Sequence, residues 1–157
     1  MQDIIIRRAI LEDLYDIQQL NNRLFKLEKE NFDPTLVKDW PMTEDGAEYF
    51  RQLIKESYVI VAVKNKEIVG YLAGSINSKC SYEEIQYAEI NNMYINSEYR
   101  GLGIGKILIS NFKEYCLNNG INNLIVTASA KNSNAIKFYR KNGFEDFNLT
   151  LTMNIEK

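Results

Sequence analysis

Three glycines at alternate positions, Gly101, Gly103 and Gly105, stand between Arg100 and Lys106. The apolar-rich run before them, Ala88 to Ile95, predicts a strand, and the run after them, Ile107 to Cys116, predicts a helix. Glycines let a chain turn tightly and approach a ligand without Cβ atoms in the way. Unpaired amides and the dipole at a helix start attract an anion. Arg100-Gly101-Leu102-Gly103-Ile104-Gly105-Lys106 therefore predicts a strand–loop–helix cradle for phosphate. Spacing excludes two well-known cradles. A P-loop needs Ser or Thr after Gly-Lys, and Ile107 stands there; a dinucleotide fingerprint needs Gly at 106 or 108, where Lys and Leu stand.

Glu89 is the second group with chemistry in it. A carboxylate in an otherwise buried strand is costly unless it is paired or used. It is a candidate general base, acting directly or through water, and Asn91, two residues on and on the same strand face, could hold that water. The plainer reading is that Glu89 faces solvent or pairs with a Lys or Arg. The chain has no histidine, which removes Ser-His-Asp and Cys-His catalysis and most zinc enzymes. Acid–base work falls to Glu, Asp, Tyr, Lys, Cys or water. Two cysteines, Cys80 and Cys116, are too few for a disulfide framework or a zinc site, so no metal is expected.

These groups need elements to place them. The pattern predicts an edge strand over Ile4–Arg8 and a helix from Leu11 to about Lys29, with apolar residues at steps of three and four. A break at 31–35 and an irregular stretch to Thr43 follow. Thr43 predicts the N-cap of a second helix burying Tyr49, Phe50, Leu53 and Ile54. Strands over Tyr58–Val63 and Ile68–Ile76 flank a hairpin turn, and Gly70 and Gly74 predict a bulge or a close backbone approach. A polar loop at 77–84 precedes a strand over Ile85–Ile95. After the glycine loop come a helix over 104–118, a strand over 123–128 and a helix over 132–143. Ile104, Leu108, Phe112 and Cys116 make one apolar stripe, which reads Cys116 as core. Phe144 and the alternating run Phe147–Ile155 predict a terminal hairpin. Three consecutive strands followed by strand–helix–strand predict a mixed α/β sheet.

At 157 residues, 45% hydrophobic and 25% charged, the chain reads as one soluble domain over residues 1–157. Nothing in it resembles a membrane span or a signal peptide, so a cytoplasmic location and no membrane partner are expected. No basic patch interleaved with aromatics argues for nucleic acid. The net charge of −2 hides an asymmetry: residues 1–99 carry 11 basic and 17 acidic side chains, and residues 100–157 carry 8 and 4. A basic C-terminal part suits an anionic cofactor, and an acidic remainder suits a cationic substrate.

Arg100, Gly103 and Gly105 closely resemble the acetyl-CoA pyrophosphate loop of the GNAT acetyltransferase superfamily, Gln/Arg-x-x-Gly-x-Gly/Ala. Asn134-Ala135-Ile136-Lys137-Phe138-Tyr139-Arg140-Lys141-Asn142-Gly143-Phe144 resembles a second signature of that superfamily in a shorter Asn-Ala form, carried by Asn134, Tyr139, Lys141, Gly143 and Phe144. Met93-Tyr94-Ile95 stands where the family has the Leu-x-Val that ends its fourth strand. The resemblance implies a mixed, mostly antiparallel central sheet flanked by helices on both faces. It implies acetyl-CoA as co-substrate, held by Met93, Tyr94, Ile95, Arg100, Gly101, Leu102, Gly103, Ile104, Gly105, Lys106, Asn134, Tyr139 and Lys141. The implied reaction is direct attack by an amine in a ternary complex, with Glu89 as base and Tyr139 as the acid for the departing thiolate. The substrate side falls to the first two helices and the 77–84 loop. Residues 28–56 hold 8 acids against 4 bases, and Phe25, Phe32 and Tyr49 with Asn91 are candidate contacts for a small-molecule or peptide amine. Trp40 and Phe32 read more readily as core than as substrate contacts. The alternatives are a non-catalytic acyl-CoA-binding regulatory module, or a transferase with a longer acyl donor or an O-linked acceptor. The terminal strand run could close the sheet or pair with a second copy in a homodimer.

Overall fold

The computed structural model describes residues 4–156. Its sheet has five strands in the order β1-β2-β3-β4-β5, namely β1 (Ile4–Arg8), β2 (Tyr58–Lys64), β3 (Glu67–Ile76), β4 (Tyr87–Ile95) and β5 (Asn123–Val126). The first four pair antiparallel, and β4 pairs parallel with β5. A parallel neighbour needs a crossover, and α3 (Ile104–Asn118) supplies it. Asn65 and Lys66, both at positive φ, make the two-residue β2–β3 turn, a geometry that matches the twist of the strands.

Helices cover both faces, as expected. Against one face α3 lays Ile104, Leu108, Ile109, Phe112 and Cys116 onto Ile60, Leu72, Ala88 and Ile90. Against the other, α1 (Leu14–Asn31) and α2 (Glu44–Glu56) lay Ile17, Leu20, Phe50 and Ile54 onto Val59, Val61, Tyr71, Ala73 and Tyr94. Tyr49, expected in that core, is instead 36% exposed at its rim. Gly74 has no Cβ because the Phe112 ring occupies the space; an added Cβ would come within 2.4 Å of it.

Local chemistry sets the helix ends. Thr43 Oγ1 accepts from the Gly46 amide at 3.3 Å, as the N-cap reading predicts. α1 starts later than the periodicity suggests. Asp13 accepts two bonds from Arg7, at 2.6 and 2.8 Å, and one from the Ile10 amide, which holds Leu11–Asp13 in a 3-10 turn. Asn132 caps α4 (Ser133–Lys141).

The expected terminal hairpin is absent. Among the described residues no strand follows β5, and Leu149, Leu151, Met153 and Ile155 are 74–84% exposed. Alternating β-formers make a strand only where a partner edge pairs with them, and this run finds none within its own chain.

Candidate active site

The site begins where two strands part. β4 pairs with β5 only over Tyr87–Ile90. On the β3 side its register shifts at Ala73/Gly74, so that Asn91 has no partner residue. Such a bulge bends its strand and sharpens the twist. From Asn91 to Ile95 the β5-facing edge of β4 is left without a strand, which exposes backbone donors and acceptors along a cleft. Met93 and Ile95 pack toward α3, and Tyr94 packs toward α1 and α2.

The glycine loop closes one end of this cleft. Arg100 Nε donates to the Ile95 carbonyl at 3.0 Å, and its guanidinium lies 5.2 Å from the Tyr94 ring centroid. Arg100 therefore ties the loop to the end of β4. Gly101 and Gly103 have φ of 77° and 80°, a region that L side chains rarely enter. Gly103 is the N-cap of α3, and no side chain caps that helix. The Ile104, Gly105 and Lys106 amides have no acceptor within the helix and carry the positive end of its dipole. Leu102 and Lys106 are exposed. Gly105 has a different role. A Cβ there would meet the Phe138 ring at 2.8 Å, so this glycine lets α4 pack against the start of α3.

That packing brings Tyr139 beside the cleft. Its ring sits between Phe138 and Phe144, at centroid distances of 5.3 and 5.5 Å. Burial, with a smaller contribution from the Glu28 carboxylate, pushes its hydroxyl up to about 12. Asn132 Oδ1 accepts from the Ala135 amide at 3.0 Å and so caps α4. Asn134, the residue singled out by sequence, lies exposed on the first turn of α4, and Lys141 lies exposed at its end.

The residues expected on the acceptor side lie on α1, α2 and the side of β4 that faces them. Glu89 is half-buried, pairs in register with Ser75 and accepts from Asn77 Nδ2 at 3.3 Å. It has no ion pair among the described residues. Asn91 Oδ1 accepts from Ser75 Oγ at 2.9 Å, and Asn92 Nδ2 donates to Tyr49 Oη at 3.3 Å. Burial raises the Tyr49 hydroxyl, and the Glu89 charge adds to the rise. An aromatic row leads inward: Phe25 stacks on Trp40 at 5.7 Å, Trp40 meets Tyr49 at 5.8 Å, and Tyr49 meets Phe50 edge-on at 5.0 Å. Phe32, half-buried at the end of α1, joins none of these pairs among the described residues. Two cavities lie elsewhere. One of about 470 Å³ separates α1 from the β2–β3 turn, and one of about 190 Å³ lies at the start of β4 beside Ile125 and Phe147. Neither includes Tyr139 or the glycine loop.

Three residues of this site carry no sequence motif. Glu28 shares a helix face with Gln18, Asn21 and Phe25, and the helical spacing itself was the available signal. Tyr71 lies in a strand that reads as pure core, and Asn92 follows Asn91 at a bulge whose exact place the sequence does not mark.

The described residues thus join a sheet whose fourth and fifth strands part, a glycine-led helix without a side-chain cap and a half-buried tyrosine packed near them. Residues 13–144 match the Acetyltransferase (GNAT) family, and the chain belongs to it. By family it is an acetyltransferase. It is 30% identical over 145 residues to an uncharacterized N-acetyltransferase of Methanocaldococcus jannaschii, a match that takes in 90% of this chain and 60% of that longer relative. An aminoglycoside acetyltransferase from an uncultured soil metagenomic sample, solved in complex with trehalose, superposes with a TM-score of 0.70 at 25% identity, covering 97% of this chain and 96% of that one. The aminoglycoside acetyltransferase AAC(6')-Iy, solved with a bisubstrate analog of CoA and acetylneamine, gives a TM-score of 0.74 at 16% identity, over 96% and 97% of the two chains.

Proposed function

We propose that this chain transfers an acetyl group from acetyl-CoA directly to a primary amine within a ternary complex. The observation that carries the reading is the parting of β4 from β5 after Ile90, with the glycine loop at its end and Tyr139 beside it. The pyrophosphate would lie on the amides at Gly101–Lys106, and the pantetheine arm would pair with the free edge of Met93–Ile95. A fold neighbour solved with a CoA bisubstrate analog supports CoA as the co-substrate. Arg100 then serves first as the strut that fixes the loop. Asn134 and Lys141, both exposed, would meet the outer part of the cofactor.

Holding amine and thioester together makes the attack effectively intramolecular. The tetrahedral oxyanion needs a donor, and a backbone N–H near Tyr94 or Ile95 is placed for it. Glu89 would take the ammonium proton, directly or through a water held with Asn91. Tyr139 with its hydroxyl at about 12 stays protonated at neutral pH. An ordinary thiol titrates near about 8.5, so Tyr139 stabilises the departing thiolate as a hydrogen-bond donor rather than by giving up its proton outright. The amine enters along Tyr49, Trp40 and Phe25, an aromatic wall that suits a cation.

Thiol release from acetyl-CoA with an amine panel, and product mass, test the reading. Tyr139→Phe is expected to lower kcat by about a hundredfold while the KM for acetyl-CoA changes by less than about threefold. Absence of any stabilisation by CoA, or an unchanged rate in Tyr139→Phe, would defeat it.

A further inference from the structure

The acceptor side holds more hydrogen-bond acceptors than donors. Glu28 is half-buried on α1, yet its carboxylate makes no ion pair and no side-chain hydrogen bond among the described residues. Neighbouring cations are engaged elsewhere: Lys29 Nζ donates to the Pro34 and Leu36 carbonyls, and Lys26 pairs with Asp39. Burial and the charge of Asp33 both press Glu28 toward its protonated form, with nothing opposing them. An unpaired carboxylate held this way is costly unless a ligand brings it a cation.

Three buried amide oxygens among the described residues have no partner, those of Asn21, Asn22 and Asn92, and the first and last bear on this side of the sheet. Asn21 is 2% exposed; its Nδ2 donates to Tyr71 Oη at 2.7 Å, and its Oδ1 has none. Asn92 donates to Tyr49, and its buried Oδ1 likewise has none. Glu28 lies two turns along α1 from Asn21, on the same helix face. Asn21 reaches Tyr71 on β3, and Ala73, two residues further along that strand face, pairs with Asn92, which reaches Tyr49. The charge of Glu28 acts on Tyr71 and that of Glu89 on Tyr49. Two carboxylates without ion pairs among the described residues, Glu28 on α1 and Glu89 on β4, thus stand on elements that these bonds join. No lysine or arginine acts on these phenols among the described residues. The carboxylates, only half-buried, are the groups a ligand can meet, and one that meets both brings N–H donors and more than one positive charge.

We propose that Glu28 is a specificity-determining residue that holds a second cationic nitrogen of the acceptor, while the nitrogen to be acetylated lies toward Glu89. The acceptor class is then a diamine, polyamine or multiply aminated sugar rather than a monoamine. This rests on the acetyltransferase reading, and the test separates the two.

The probes are 1,6-diaminohexane and 6-amino-1-hexanol, matched in length and differing in one charge. With acetyl-CoA, the wild-type kcat/KM for the diamine should exceed that for the amino alcohol by about tenfold or more. Glu28→Gln should reduce that ratio to about threefold or less, chiefly through the KM of the diamine, and Glu28→Asp should retain part of it. Calorimetric binding of the diamine to the CoA-bound protein is the arm that needs no turnover. There Glu28→Gln should weaken binding by about fivefold or more. Thermal stabilisation by CoA reports that each variant is folded. An unchanged ratio in Glu28→Gln, equal losses for both probes, or diamine binding that ignores the substitution would overturn the role of Glu28. Diamine binding that depends on Glu28 without acetylation of either probe would keep the cation site and defeat the acetyltransferase reading instead.

Discussion

The two faces of the sheet are built to different rules. Beneath α3 the buried cluster is apolar throughout, and even its thiol, Cys116, is pushed up to about 11 by burial and is chemically quiet. Beneath α1 and α2 the core is interrupted by Asp13, Gln18, Asn21 and Asn22, all 2–7% exposed. Each fixes something. Asp13 ties β1 to the start of α1, Gln18 Nε2 donates to the Pro41 carbonyl at 2.7 Å, Asn22 Nδ2 donates to Asp39 at 3.0 Å, and Asn21 reaches Tyr71. The bonds to residues 39 and 41 hold the turn that presents Trp40 to Phe25 and Tyr49. One face is a scaffold, and the other accepts buried polar groups so that loops and phenols stay in place around the cleft.

Phe112→Ala should break the scaffold face with the largest effect. Phe112 is fully buried, fills the space above Gly74 and packs against Tyr58 and Tyr115. Emptying it should cost about 3–5 kcal/mol, read as a lower urea midpoint. The selectivity between acceptor amines should stay as in the wild type wherever the variant is folded. A shift in selectivity would mean that the division between the faces is wrong.

The same division governs how much the sequence discloses. Helix and strand periods report burial, so the stripe Ile104, Leu108, Phe112 and Cys116 could be read directly, as could the Thr43 cap and the 64–67 turn. The glycine loop was legible because its residues need special backbone geometry. Its inner logic was not: Gly105 is fixed by the Phe138 ring of a helix about 30 residues away, and Arg100 turns back onto Ile95. The helix expected over 132–143 is capped by Asn132, a role that the sequence reading did not assign to any residue. Phe147–Ile155 has a strand pattern and forms no strand, since pairing depends on an edge that local sequence does not describe. Helical spacing joins Asn21 to Glu28, but Tyr71 meets Asn21 only through tertiary packing, and nothing along the chain marks it as a neighbour.

On the polar face, Asp13→Asn is expected to have the next largest effect. The Arg7 guanidinium and the Ile10 amide hold the Asp13 carboxyl below its ordinary value, against the opposing effect of burial. A depressed carboxyl stabilises the fold fully above its unfolded value of about 4, and loses that contribution as pH falls through the lower folded value. Wild type should therefore lose stability below about pH 4 at this site. Asp13→Asn should be less stable by about 1–3 kcal/mol at pH 7, with the gap narrowing in acid. Denaturant titrations at both pH values measure it. Because Asp13 anchors the start of α1 and lies away from the cleft, acceptor kinetics should change little.

Tyr71→Phe should have the smallest effect on stability and is the sharpest test of the comparison. It removes the hydroxyl to which Asn21 donates and leaves a fully buried amide without that partner, at about 1–2 kcal/mol. It also removes the hydroxyl that anchors Asn21 on the α1 face bearing Glu28, so acceptor kcat/KM should fall several-fold while stabilisation by CoA is unchanged. Adding Asn21→Leu replaces both partners with apolar groups, which is often close to neutral for stability. The double variant should therefore recover much of the lost stability and none of the lost acceptor kinetics. If kinetics returned together with stability, the polar groups beneath α1 would be core packing like those beneath α3, and the two faces would not differ in role.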